Sequence, residues 1–192
     1  MVIHLLLQSH KIYRMPKIYT KRGDYGKSDL FYSTNIDKFS PLFDALGTLD
    51  ELNSFIGLLS SGYAESPALL KELPHILFDL GAMIAMEKLD AEDEVFISEL
   101  VVRCENEIDL MNMSLKPLRV FIVPGGSENV SRAHVCRSVA RRAERCIWAF
   151  DKKYTPIGTF LNRLSDYFFV LSRYISHQEG GVERIWIKSE DR

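Results

Sequence analysis

Cysteine is scarce. The chain of 192 residues has three, Cys104, Cys136 and Cys146, with no CxxC pair among them. An odd, unpaired set excludes a disulfide scaffold and reads as reduced, partly buried thiols of a cytoplasmic protein. Net charge is also scarce. A formal charge of -2 gives no bulk attraction to nucleic acid or to an anionic membrane, so any anion site must be local. No apolar run is long enough to span a bilayer. Repeats and low-complexity tracts are missing, as are a Walker A loop and a persuasive Ser/His/Asp or Cys/His set. What remains is an ordinary globular composition, 46% hydrophobic and 26% charged, sufficient for a sizeable core.

Residues 1–15 resemble a targeting segment only superficially. Their apolar part is short and lacks a small-residue cleavage site. We expect an extension of little structure there, and one domain over residues 16–192.

The central stretch runs from Val123 to Arg145. An apolar run, Leu118 to Val123, stops at Pro124-Gly125-Gly126, and a helix then starts with Ser127 or Ser131 as N-cap. At 100° per residue, His134, Arg137, Arg141, Glu144 and Arg145 share one wedge of about 100°. Val135, Val139, Ala143, Cys146, Ile147 and Phe150 take the opposite face. Arginines at four-residue spacing repel one another by a few tenths of a kcal/mol per pair. Guanidinium groups match phosphate and carboxylate oxygens. Two readings stay open: a face that grips an anion, or a solvated face paired with neighbouring carboxylates.

Other helices follow from apolar periodicity. One starts at Ser40-Pro41 and runs to about residue 59, with Gly47 and Gly57 suggesting close approach by another helix or a ligand. A second covers about 67–87, with Pro74 expected to kink or split it. A third covers about 92–113, and a fifth follows Pro156 and ends at Gly180-Gly181. On the fifth, Asn162, Asp166, Phe169 and Arg173 form a second stripe beside the core face. Residues 182–188 alternate like a short strand with no evident partner. The pattern gives an all-α, antiparallel five-helix bundle of ferritin-like appearance. Glu72 and His75 spell the E-x-x-H of di-iron bundles, but a lone copy containing a proline is a poor metal site, and we assign none. The segment Thr20 to Asp29, with Gly23 and Gly26, has the makings of an anion-cradling loop, although on chemistry alone it reads first as a surface turn.

Three blocks together resemble the PduO-type ATP:cob(I)alamin (corrinoid) adenosyltransferases. They are Ile18 to Gly26, Leu46 to Ser54, and Phe121 to Gly126 continuing into Arg141-Arg142-Ala143-Glu144-Arg145 and Asn162 to Asp166. The resemblance implies a homotrimer with active sites between subunits and an irregular N-terminal nucleotide loop. It implies transfer of the 5′-deoxyadenosyl group of ATP, with Mg2+, to the cobalt of a reduced corrinoid such as cobalamin. Triphosphate is released. Cobalt(I) is itself the nucleophile, which suits a chain without an activated Ser, Cys or base.

By resemblance, Thr20, Lys21, Gly23, Ser28 and Lys38 wrap ATP. Arg141, Glu144, Arg145 and Asn162 contact phosphate, ribose and base, with Arg142 beside them. Asp50 and Arg141 form an inter-subunit ion pair, Arg137 and Asp166 are further site residues, and Phe121 stands beside the corrin. The loop departs from the family at Arg22, where Thr is usual, and at Asp29 and Leu30, where small hydroxyl residues and Gly are usual. Asp29 would repel triphosphate unless paired, and Arg22 is the candidate partner. Transient contacts with a corrinoid reductase and an adenosylcobalamin-dependent enzyme fit this reading. Two other classes compete: a silent corrinoid or nucleotide binder acting as a cofactor chaperone, and a bundle whose basic helix binds nucleic acid. Low net charge and the embedded Glu144 speak against the latter.

Overall fold

The computed structural model describes residues 19–191; the expected N-terminal extension and Ile18 of the first block lie outside the described residues. Five helices carry the fold: α1 (Pro41–Gly62), α2 (Ala68–Ala85), α3 (Ala91–Asn112), α4 (Glu128–Phe150) and α5 (Thr155–Gln178). Packing places them side by side in the order α2, α1, α4, α5, α3, with α4 at the centre. Helices joined by short turns, α1 to α2 and α4 to α5, run antiparallel. No helix of the described residues is long and apolar enough to cross a membrane.

Local chemistry explains the helix starts. Asp90 caps α3, accepting from the backbone of Glu92 and Asp93 while the Asp93 side chain accepts from the Asp90 N–H, a reciprocal capping box. Ser127 caps α4, its Oγ accepting from Val130 N at 3.3 Å. The preceding Gly125 and Gly126 have φ of 142° and 128°, a backbone that side-chain-bearing residues rarely adopt. That turn delivers the chain into α4. Pro74 does not split α2, which is a single helix through it. Buried Leu69, Leu70, Leu73, Leu77 and Leu80 hold both halves against the core, and the Pro74 carbonyl accepts from Asn53 Nδ2 of α1 at 3.2 Å.

The buried face of α4 is centred on small residues, Ala133, Cys136, Ala140 and Ala143, all fully buried. Small side chains let α1 and α5 approach the central helix from both sides. The core face is therefore turned from the one expected, with Val135 exposed and His134 buried. At Gly47 and Gly57 no helix of this chain makes the close approach. A Cβ on either would meet nothing within 4 Å, so no neighbour in this chain crowds them.

The N-terminal loop carries a minimal antiparallel hairpin, β1 (Lys27–Ser28) with β2 (Ile36–Asp37). The C-terminal run does find a partner. Val123 N donates to Arg184 O at 2.7 Å and Trp186 N to Phe121 O at 2.8 Å, with Ile122 facing Ile185 in antiparallel register. The tail thus joins the segment just before α4.

Candidate active site

Two features meet on α4, an arginine column and an apolar cleft. The cleft has a volume of about 540 Å³ and is walled by Leu118, Val120, Phe121, Ile122, Pro124 and Phe169, with Arg119, His134 and Arg137 as its polar members. Phe121 is 78% exposed, so its ring stands in the mouth of the cleft. His134 lies beside the Phe169 ring, with centroids 6.5 Å apart. Burial, and then the Arg137 charge, push its imidazole pKa down to about 4, so it is neutral near pH 7. Arg137 is held below its ordinary value by burial and by the neighbouring Arg141 charge, and its Nε is buried without a partner.

Above Arg137 on the same face, Arg141 is exposed, and among the described residues its guanidinium pairs with no carboxylate. Arg145 Nη1 folds back onto the Arg141 carbonyl at 3.1 Å. Glu144 accepts from Asn162 Nδ2 at 3.1 Å, which brings together the R-R-A-E-R and N-R-L-S-D segments. The column is thus not neutralised within the chain, and only its lower end, at His134 and Arg137, is partly buried. Its lower end opens into a cavity and its upper end faces solvent.

Other site residues are placed differently. Arg142 projects away from the column and pairs with Glu51 of α1, an ion pair that ties two helices together. Asp166 shares the Asn162 stripe, but its carboxylate is engaged by Arg163 Nη1 at 2.7 Å, and Arg163 also reaches Glu105 of α3 at 2.9 Å. Asp50 is exposed on α1 and, among the described residues, makes no ion pair. It borders a hollow of about 290 Å³ lined also by Leu46, Asn53, Phe78 and Gly81. Glu72 of the E-x-x-H spelling is taken up by a two-pronged pair with Arg103, at 2.6 and 2.8 Å.

In the loop, Lys38 Nζ donates to Gly23 O at 2.8 Å and closes the turn that begins at Lys21, whose φ is 61°. Arg22 and Asp29 do meet, Nη1 to Oδ2 at 3.4 Å, and Asp29 Oδ1 also accepts from Asn35 N at 2.9 Å. Ser28 lies in β1, and Thr20 Oγ1 accepts from Arg22 N at 3.5 Å. The wheel put His134 on the arginine face and Phe169 on the second stripe, but it did not reveal that the two meet in one cleft, nor that Trp186 lies against Phe121. For Trp186 a signal existed, because residues 182–188 read as a strand without a partner while 118–123 is a second short apolar run.

An arginine face opening into an apolar cleft suits a ligand with an anionic end and a flat apolar body. The model of the cobalamin adenosyltransferases matches residues 18–175. The chain belongs to this family. It is 37% identical over 194 aligned positions to corrinoid adenosyltransferase MMAB of Bos taurus, covering 95% of this chain and 80% of that protein. It is 38% identical over 173 positions to the corrinoid adenosyltransferase of Bacillus subtilis, covering 85% and 89%. Among solved structures, a variant PduO-type ATP:corrinoid adenosyltransferase from Lactobacillus reuteri complexed with cobalamin and ATP superposes with a TM-score of 0.77 at 33% identity. It covers 90% of this chain and all of that one. The family thus shares the bundle, and membership covers every helix that builds the site.

Proposed function

We propose that this chain transfers the 5′-deoxyadenosyl group of ATP to the cobalt of a reduced corrinoid, releasing triphosphate. The observation that carries this reading is the unpaired arginine column of α4 running into the Phe121 cleft. Family membership supports it independently.

The substrate's cobalt(I) supplies the electron pair. It bonds to C5′ while the C5′–O bond breaks, and that bond's electrons leave with triphosphate. Cobalt ends formally two electrons more oxidised, and no proton need move at the protein. The side chains therefore act by position and charge. Arg141 and Arg145 hold the polyphosphate and stabilise charge as it leaves. Glu144 and Asn162, already bonded to each other, present a donor and acceptor set to ribose and base. Thr20, Lys21, Gly23, Ser28 and Lys38 close the loop over the phosphates. Phe121 faces the corrin and excludes water or an axial base.

Mg2+ belongs with the nucleotide in this scheme. Among the described residues no group of three or more His, Cys, Asp or Glu converges on one point. An ion held mainly by phosphate oxygens and water needs no such cage.

We further propose a homotrimer. Gly47 and Gly57 face open space, Phe78 is 69% exposed, and Asp50 is unpaired, all on the outer α1/α2 face. A second copy placing Arg141 near Asp50 would satisfy both charges and complete the site. A cytoplasmic location, with transient contact to a reductase and to an adenosylcobalamin-dependent enzyme, belongs to the same proposal.

The test is anaerobic incubation with reduced corrinoid and ATP. Decay of the cobalt(I) spectrum with equimolar triphosphate supports transfer. Tight binding of both ligands without either signal makes the chain a silent carrier instead.

A further inference from the structure

Phe121 has little support from the helices. It is 78% exposed, and what fixes it comes from the C-terminal tail, which lies beyond the family match ending at residue 175. The Trp186 ring meets the Phe121 ring edge to face, with centroids 6.4 Å apart and planes at 90°. The backbone N–H of Trp186 donates to the Phe121 carbonyl at 2.8 Å. Phe121, Ile122, Val123, Pro124 and Trp186 line a second hollow of about 440 Å³, and the first three residues named with Pro124 belong to one continuous strip. Phe121, Ile122 and Pro124 also line the first cleft.

A two-stranded ribbon is marginal in water by itself. Here one buried cation anchors it. Arg173 of α5 is 7% exposed and donates Nε to Glu183 Oε1 at 2.5 Å and Nη2 to Lys116 O at 2.8 Å. A single guanidinium thus grips the tail and the linker that leads to Phe121. A charge this buried persists because its donors are met, and removing a partner is costly. The chain of support runs from α5 through Arg173, Glu183 and Trp186 to Phe121.

We propose that Trp186, held in place by the Arg173–Glu183 pair, is a positioning residue that fixes Phe121 in the cleft wall and so sets corrinoid affinity, with no part in nucleotide binding. This rests on the corrinoid reading given above. Loss of an edge-to-face aromatic pair corresponds to about a two- to twelvefold change in an equilibrium constant.

The experiment uses the full chain with Trp186→Ala, Trp186→Phe and Glu183→Gln. KM is measured separately for reduced corrinoid and for ATP, together with equilibrium dialysis of hydroxocobalamin and thermal melting. Trp186→Ala is expected to raise the corrinoid KM and dialysis Kd by about two- to twelvefold while ATP KM stays within about twofold. Trp186→Phe recovers most of the loss, and Glu183→Gln moves in the direction of Trp186→Ala. An unchanged corrinoid KM in folded Trp186→Ala overturns the proposal, as do equal shifts in both KM values. Should Trp186→Ala fail to fold, Trp186→Leu keeps an apolar side chain without the aromatic edge, and wild-type corrinoid affinity in it overturns the proposal. If wild-type protein neither binds nor turns over corrinoid, the functional reading fails first, and this inference with it. If the wild type does both and the Trp186 variants match it, only the positioning role fails.

Discussion

Arg141→Ala separates chemistry from fold. The side chain is exposed, and among the described residues no carboxylate partners its guanidinium. Its backbone carbonyl accepts Arg145 Nη1, a bond that survives the substitution. Arg137 and Arg145 each lie four residues away, where like charges cost a few tenths of a kcal/mol. Alanine is also the best helix former. The stability of the isolated chain is therefore expected to change by no more than about 0.5 kcal/mol. Catalysis is another matter. Removing one preorganised donor from developing anionic charge costs about 3–4 kcal/mol, or about 10²- to 10³-fold in kcat. The assay is single-turnover decay of the cobalt(I) spectrum under saturating ATP, with melting and sedimentation followed in parallel. A kcat within about threefold of wild type would refute the role of Arg141 in leaving-group stabilisation. So would a loss of activity that merely follows a loss of fold.

Two further outcomes are expected. The Arg22–Asp29 pair is 3.4 Å long with side chains 76% and 38% exposed, so its coupling is about 1 kcal/mol or less. In a double-mutant cycle on ATP affinity, Arg22→Thr is expected to weaken binding more when Asp29 is present than when it is Ser, and strict additivity would show that the two residues act separately. His134 gives a pH signature. Its folded-state pKa, pushed down to about 4, lies below the ordinary value of 6.5, so the unfolded chain takes up the proton first as pH falls. The stability it contributes is present above pH 6.5 and is lost progressively down to about pH 4. Urea midpoints of His134→Gln are therefore expected to fall less than those of wild type between pH 7 and pH 4.5, and parallel curves would contradict this.

The five helices were legible because each has a sustained apolar stripe, and their ends carry Pro, Ser or Gly in the right places. Of the two outcomes expected at Pro74, the split does not occur, because flanking buried leucines hold the helix together. The wheel found the arginine column and, in Val139, Ala143 and Ile147, part of the buried face, but set the centre of that face to one side. It weights large apolar residues, whereas α4 packs through Ala133, Ala140 and Ala143. His134 does share the cleft with Arg137, as its place in the wedge implies, but it is buried there rather than solvated. A wheel also cannot name neighbours, so Arg142 with Glu51 and Arg163 with Glu105 became visible only in three dimensions. The ribbon of 121–123 with 184–186 joins short runs far apart in sequence, where alternation is too brief to specify register.

The central claim is that the guanidinium face of α4 holds the polyphosphate of the nucleotide. Comparing equilibrium Kd values for ATP and AMP on wild type and on Arg141→Ala tests it most directly. Charge-assisted bonds to the terminal phosphates predict ATP tighter than AMP by at least about tenfold, with that gap shrinking in the variant. Equal affinity for ATP and AMP in wild type, or a gap untouched by Arg141→Ala, would contradict the account.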